Sequence, residues 1–236
     1  MVRLPARVAG LLGAGQIPTN DPEAAGRAIA DWEAALDEQQ RPTPMVRRVE
    51  ERVLEALSLE PLFAGPIAQD VGAVVSTTIR YVAHRLGAPK PFMRADFDGD
   101  NVIEQDLADD FEDWLHGVPL SRGSVTIEVR RIGGGRADVL IAFGTHRVVV
   151  ELKRELADAS RDALETHYGA QAASYQATDY PFGVVLVLDL TQEQSGTAAH
   201  LEDLVWVSNA RVEGRDRWLV WCVVPGRRVT PSQLSR

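Results

Sequence analysis

Cysteine and lysine are both scarce in this chain of 236 residues. The single cysteine, Cys222, excludes an internal disulfide framework, and its place in the apolar run 218–224 predicts a buried strand. Of the 25 basic residues, only Lys90 and Lys153 are lysines. The sequence also has no apolar run long enough to span a membrane and no secretory signal of sufficient strength. We therefore expect a cytoplasmic protein that has no membrane partner.

A strongly basic character is also missing, because the net charge is −9. This disfavours an avid, non-specific nucleic-acid binder, a class that is normally basic. It does not exclude a nuclease, since some carboxylates would bind metal and DNA needs only a local basic rim. The sequence has no P-loop and no dinucleotide-binding glycine pattern, so the chain supplies no nucleotide-driven motor. The arginines that could form a basic rim, or could equally be scattered solubilising charges, are Arg122, Arg130, Arg131, Arg136 and Arg154.

The hydrophobic pattern predicts an α/β (α+β) fold in which a mixed β-sheet is flanked by helices. We interpret residues 1–95 as a helical N-terminal region and residues 96–236 as the domain that carries the sheet. In the first region, helices are predicted over about 21–40, 45–58 and 64–86. In the second region, the predicted elements are a helix over about 101–115, strands over 125–132, 137–143 and 148–153, a helix over about 156–177, and strands over 184–188, 204–208 and 217–224.

The predicted strand over 148–153 combines hydrocarbon with two charges of opposite sign, in the order VVVELK. Residues i and i+2 of a strand point to the same side, so Glu151 and Lys153 share a face and Leu152 points to the other. Burying such charges is costly unless they are paired or bind a metal. The strand therefore predicts a site with a specific chemical role.

A hairpin brings a third charge to that face. The preceding strand contains Asp138, and the dipeptide at 144–145 (Gly-Thr) fits a two-residue turn with glycine first. A turn centred there places Asp138 directly opposite Glu151, with Lys153 beside them. Two carboxylates that close repel each other unless a cation lies between them. The pattern therefore predicts a divalent-metal site of the kind used in phosphoryl transfer.

Lys153 and Gln171 each have a chemical and a plain structural interpretation. In this lysine-poor chain a solvated cation would normally be arginine, so Lys153 favours a role for a compact amine; a strand-end lysine chosen by chance is the alternative. Gln171 lies on the apolar stripe of the helix over 156–177, where both ends of its amide need partners. Its side chain either reaches the site or bonds to nearby backbone. The other members of that stripe are Leu164, Tyr168, Ala172 and Tyr175.

Three segments resemble the PD-(D/E)xK nuclease superfamily. They are GRAD at 135–138, ELK at 151–153 and QAASY at 171–175, and the last is most similar to the RecB-type branch. The resemblance covers roughly residues 100–190 and implies a restriction-endonuclease-like core. Ala137 stands where some members of the family have proline before the aspartate.

The resemblance implies a role for each charged residue. In this family the aspartate and glutamate bind Mg²⁺ or Mn²⁺ and the lysine positions or activates the attacking water, which are the roles implied for Asp138, Glu151 and Lys153. Further metal ligands would be the Leu152 carbonyl and Glu104 in the first helix of the domain. The alternative for Glu104 is a capping box at the start of its own helix.

The function that the resemblance implies is a metal-dependent nuclease that hydrolyses phosphodiester bonds, with DNA as the expected substrate and a place in prokaryotic restriction or defence. Gln171 would act in catalysis, whereas Tyr175, Arg136 and Arg154 would contact the substrate. The N-terminal helices would then form a homodimer interface or dock a partner protein. The alternative function is a catalytically inactive scaffold or protein-interaction subunit that keeps the nuclease fold.

Overall fold

A computed structural model of the chain describes residues 42–87, 102–116, 125–132, 136–143, 146–175, 181–191, 199–212 and 214–226. The side chains of residues 116, 125–132, 136–138, 146 and 175 lie outside this description. So do the predicted helix over 21–40 and the predicted domain boundary at residue 95. Residues Pro44–Arg236 form one compact unit.

In the described residues, three helices precede three strands, and two further helices precede the fourth and fifth strands. The helices are α1 (Pro44–Leu57), α2 (Gly65–Gly87), α3 (Glu104–His116), α4 (Arg161–Tyr175) and the short α5 (Leu201–Leu204). The strands are β1 (Val125–Ile132), β2 (Arg136–Phe143), β3 (His146–Glu155), β4 (Phe182–Asp189), β5 (Val205–Val212) and β6 (Arg215–Pro225). The six strands confirm those predicted from the sequence. Within the part of the chain that is described, no helix has the length and apolar character needed to cross a membrane.

The strands form one mixed sheet in the order β1-β2-β3-β4-β6-β5. Strand β3 is antiparallel to β2 and parallel to β4, which is in turn parallel to β6. Every residue of β4 is buried, as expected of a strand with a neighbour at each edge and a packed layer on each face. Cys222 on β6 is buried as predicted, and burial raises the pKa of its thiol. The predicted mixed sheet flanked by helices is therefore confirmed.

A separate hydrophobic core lies on each face of the sheet. On one face, residues of α1, α2 and α3 such as Val53, Val75 and Phe111 pack against strand residues that include Leu152. On the other face, Leu164 of α4 packs with residues of β4, β5 and β6. Helices α1 and α2 thus share a core with the strands.

The helix predicted over 156–177 begins later than expected, at Arg161. The reason is the carboxylate of Glu155, whose Oε1 accepts hydrogen bonds from the amides of Leu156 and Ala157 at 2.8 and 2.7 Å. These bonds hold the residues after β3 in a turn, so their amides are satisfied without a helix. The hydrophobic pattern did not reveal this turn, because it depends on one side chain.

Candidate functional site

Strand β3 changes from hydrocarbon to charge where it leaves its pairing with β2. Glu151 and Lys153 are 2% and 1% exposed. In the parallel ladder to β4 they stand beside Val185 and Val187, which belong to the core under α4. Leu152 lies in the core on the opposite face. The prediction that the two charges share one face and Leu152 the other is therefore confirmed.

The two charges pair with each other, but incompletely. Lys153 Nζ donates a hydrogen bond to Glu151 Oε1. The second oxygen, Glu151 Oε2, is buried and has no hydrogen-bond partner among the residues that the structure describes. An unsatisfied buried carboxylate oxygen carries a large desolvation penalty. Such an atom is where a bound cation or a water molecule would relieve the cost of burial.

The position of Asp138 follows from the register of the hairpin. Strands β2 and β3 pair from Phe143 opposite His146 to Val139 opposite Val150. This confirms the predicted two-residue connection and its register. The ladder ends at Val139 and Val150, and Asp138 and Glu151 are the next residue of each strand beyond that last pair. The carboxylate of Asp138 lies outside the described side chains, so its convergence with Glu151 stays a prediction.

The main-chain carbonyl of Leu152 faces the gap beside that position. The Glu155 carbonyl accepts a hydrogen bond from the Leu190 amide at 2.8 Å, so Glu155 directs its backbone groups toward β4. Successive residues of a strand direct these groups to opposite edges. Leu152 therefore directs its carbonyl toward β2, beyond Val150, where the ladder between the two strands ends. This is the orientation that a metal ligand at the Leu152 carbonyl requires.

Glu104 reaches β3 rather than capping its own helix. Its Oε1 accepts a hydrogen bond from the Arg154 amide at 3.3 Å, one residue beyond Lys153. The bond back to the start of α3 is made instead by Asp106, whose Oδ2 accepts from the Ile103 amide at 2.8 Å. Asp106 is the third residue of α3, the position from which a capping box acts. The capping interpretation of Glu104 was therefore wrong.

Helix α4 covers the pair through Tyr168, a residue to which the sequence assigned only a place in the apolar stripe. The Tyr168 ring centroid lies 5.8 Å from Lys153 Nζ. Gln171 is half-buried and lies three residues further along, on the same side of the helix. The main-chain carbonyl of Gln171 accepts a hydrogen bond from the Ser174 hydroxyl at 2.7 Å. The side chain of Tyr175 is outside the described set.

Glu155 extends the charged face of β3 by one more residue, which sequence reasoning also missed. Burial alone would raise the pKa of Glu155, but hydrogen bonds from the Ala157 amide, the Tyr168 hydroxyl and the amides of Asp158 and Leu156 outweigh it and lower the pKa. The signal in the sequence was the repeat of charge at every second position from Glu151 onward.

Of the two arginines predicted to contact the substrate, only Arg154 has a described side chain. The Arg154 guanidinium is half-buried and donates from Nη1 to the Val102 carbonyl at 2.7 Å, which ties β3 to the segment before α3. The side chain of Arg136 is not among those described. The same is true of Arg130 and Arg131, and residue 122 is outside the described ranges altogether, so the basic rim stays a prediction.

The donor set fits a divalent cation only in part. Glu151 Oε2 is an anionic oxygen without a donor, and the Leu152 carbonyl faces the adjoining gap. Both are ligands of the type that Mg²⁺ and Mn²⁺ prefer. Within the described residues, however, no three histidine, cysteine, aspartate or glutamate side chains group together in a way that could hold a metal. Completing the set requires the carboxylate of Asp138.

The chain matches no family model, no curated protein and no solved structure. Any function assigned to Glu151 and Lys153 therefore has to come from their own geometry and chemistry.

Proposed function

We propose that this chain is a metal-dependent nuclease with a restriction-endonuclease-like core that hydrolyses phosphodiester bonds, with DNA as its substrate. The observation that carries the proposal is the buried Glu151 carboxylate, with one oxygen paired to Lys153 and the other lacking a partner among the described residues. A buried ion pair is often no better for stability than hydrocarbon of the same volume. Its presence on an otherwise apolar strand therefore favours a chemical role over a structural one.

The metal ligands would come from two adjacent strands. Asp138 and Glu151 would hold Mg²⁺ or Mn²⁺, with the Leu152 carbonyl as a further ligand and Glu104 on the side of α3. When bound, the ion would polarise the phosphodiester and lower the pKa of a water molecule.

Lys153 would orient the attacking water and the scissile phosphate. Its ammonium has three N–H donors, so one can stay on Glu151 while the others reach substrate oxygens. Burial strengthens the field of this charge at the reacting group, because little water is present to screen it. Gln171, on the helix that covers Lys153, would add an amide donor and acceptor. Arg136, Arg154 and Tyr175 would contact the nucleic acid around them.

A catalytically inactive scaffold is the second candidate function. The observation that favours it is the direct contact of Lys153 with Glu151, since the two charges neutralise each other without any ligand. In that case the fold would serve protein interaction, and the buried pair would be a structural remnant. The two candidates differ in whether a divalent cation changes the behaviour of the protein.

The deciding experiment is cleavage of plasmid DNA, linear DNA and RNA by the purified chain in Mg²⁺, Mn²⁺ or EDTA. We expect DNA cleavage that EDTA abolishes. Asp138→Asn, Glu151→Gln and Lys153→Met should each lower the cleavage rate by at least about a hundredfold. The matched control is Lys90→Met, the same change at the other lysine, which should leave cleavage unchanged.

Cleavage that persists equally in Glu151→Gln and Lys153→Met would identify a contaminant and remove the nuclease assignment. Absence of cleavage with every substrate and metal, in a protein that is folded by circular dichroism, would leave the scaffold as the better account. A place in restriction or defence follows only if DNA is cut.

A further inference from the structure

Tyr168 joins the candidate site to the turn that follows β3. Its ring lies against the Lys153 ammonium, at 5.8 Å from the ring centroid. Its hydroxyl donates to Glu155 Oε2 at 3.0 Å and lies 3.4 Å from the Arg154 carbonyl. We propose that Tyr168 is the positioning residue for Lys153 in the nuclease reaction, with Glu155 fixing the tyrosine hydroxyl; this inference rests on the function proposed above.

The contact between Tyr168 and Lys153 is one that restricts a flexible side chain. The face of an aromatic ring carries negative charge density and attracts an ammonium, most strongly where water is excluded. Lys153 is almost fully buried, so this condition is met. The lysine side chain is flexible, and the single hydrogen bond to Glu151 restrains the Nζ atom from one side only. A ring on a second side reduces the positions that the Nζ atom can adopt.

The hydroxyl of Tyr168 determines where the ring lies. Glu155, its acceptor, is itself immobilised by the amides of Leu156 and Ala157, which donate to the other carboxylate oxygen. Glu155 is two residues beyond Lys153 on the same face of β3. Strand β3 therefore carries both Lys153 and the Glu155 carboxylate that fixes the position of the Tyr168 ring. A leucine or phenylalanine at this position would fill the space but would lack that attachment.

The scarcity of lysine makes the contact directly measurable by NMR. Lysine labelled with ¹³C at Cε gives two signals, and the Lys90→Arg variant assigns the signal of Lys153. Protons above an aromatic ring are shifted upfield, so the Lys153 signal should lie upfield in the wild-type protein. In Tyr168→Leu it should return toward the ordinary lysine position, and in Tyr168→Phe it should lie between the two. Thr166→Ala, an exposed change on the same helix, should leave both signals in place.

Cleavage kinetics test whether the position of Lys153 matters for the reaction. Tyr168→Leu should lower kcat by about 10- to 30-fold, the size expected from losing a buried cation–π contact. Tyr168→Phe keeps the ring and should lower kcat by less than about tenfold. KM should change less than kcat in both variants, because Tyr168 would act through the position of Lys153, whose proposed role is to orient the attacking water. Thr166→Ala should have the wild-type kcat.

Two results would overturn the inference. One is a Lys153 signal that does not move in folded Tyr168→Leu protein; the other is a wild-type kcat in both Tyr168 variants, which would leave the proposed nuclease function intact. If the wild-type protein cleaves no nucleic acid while the Lys153 signal moves as expected, the proposed function fails and the role of Tyr168 in the reaction fails with it, although the contact itself is established. Tyr168→Phe keeps the test decisive if Tyr168→Leu does not fold.

Discussion

Arg85–Asp110, between α2 and α3, and Glu151–Lys153, on β3, are both buried ion pairs, but different atoms are left unsatisfied in each. Asp110 Oδ2 accepts hydrogen bonds from Arg85 and from the Tyr81 hydroxyl. Among the described residues, the atoms without a partner in this pair are two guanidinium nitrogens of Arg85. In the β3 pair it is a carboxylate oxygen. The Arg85–Asp110 pair, called the helix pair below, therefore has unused donors, and the Glu151–Lys153 pair, called the β3 pair, has an unused acceptor. Of these atoms, only the acceptor can bind a cation.

The surroundings of the helix pair indicate a structural role. Burial, together with the negative charge of Asp110, raises the pKa of Tyr81, so its hydroxyl stays protonated and continues to donate. The Arg85 guanidinium lies 5.3 Å from the centroid of the Tyr81 ring, and that ring packs edge-on against Phe111. These contacts join α2 to α3. Burial of charge is therefore common to both pairs, and they differ in the sign of the atom that is left unsatisfied.

The largest expected effect is on stability, from Asp110→Ala. This change leaves the Arg85 guanidinium buried without its anion and removes the acceptor of Tyr81. Loss of one partner of a buried pair costs about 3–5 kcal/mol of unfolding free energy. Urea denaturation measures it, and Asp113→Ala, an exposed change on the same helix, should stay within about 0.5 kcal/mol of wild type. An equally small effect at Asp110 would remove the structural role from this pair.

Replacing both charges of a pair gives the next largest effect and separates the two pairs. Glu151→Leu with Lys153→Met should raise the unfolding free energy by about 1–4 kcal/mol, since hydrocarbon replaces a costly pair, and should abolish cleavage. Arg85→Met with Asp110→Leu should give no such gain, because the buried Tyr81 hydroxyl then lacks its acceptor at a cost of about 1–3 kcal/mol. A loss of stability in the β3 double variant would show that Glu151 and Lys153 are kept for structure.

The β3 pair could be predicted from the sequence because its geometry is local. Alternation along a strand decides that Glu151 and Lys153 share a face, and a two-residue turn decides the register with β2. Both rules act over a few residues, and the structure agrees with both. Whether Asp138 turns its carboxylate toward Glu151 depends on side-chain rotamers, which no such rule fixes.

The helix pair could not be predicted, because Arg85 and Asp110 lie 25 residues apart on helices whose packing sets their contact. The same reason explains why Tyr168 was interpreted only as an apolar residue: its hydroxyl finds Glu155 only once α4 packs on the sheet. Glu104 shows the limit in another way. The sequence predicted a helix start three residues too early, and because α3 begins at Glu104 it is Asp106 that occupies the capping-box position.

Magnesium should stabilise the protein through the site that contains Glu151, and not through the helix pair. A ligand that binds only the folded state at ten times its dissociation constant adds about 1.4 kcal/mol to the unfolding free energy. We expect this gain, seen as a rise in Tm, in the wild-type chain and in Asp113→Ala, and its loss in Glu151→Gln. Glu165→Gln is the matched control, because Glu165 of α4 accepts a hydrogen bond from the Trp206 indole of β5 and is not among the proposed metal ligands. A shift that survives in Glu151→Gln would place the cation elsewhere.

The smallest expected effect is on the pH dependence of stability, through His84, which lies beside the helix pair. Burial lowers the pKa of His84, the positive charge of Arg85 lowers it further, and the charge of Asp110 opposes this less strongly. As pH falls, His84 is therefore protonated in the unfolded chain at a higher pH than in the folded protein. The resulting contribution to stability is complete above about pH 6.5 and is lost as pH falls through the lowered pKa of the folded state.

His84→Gln should accordingly flatten the acid side of the stability curve slightly, as measured by urea denaturation at a series of pH values. In the Arg85→Met, Asp110→Leu double variant, the pKa of His84 measured by NMR titration should rise, because the stronger of the two charge effects on it, that of Arg85, is gone. An unchanged pKa would mean that the charges of Arg85 and Asp110 cancel each other at His84. The helix pair would then differ from the β3 pair in electrostatics as well as in hydrogen bonding, since Lys153 is expected to act through its charge.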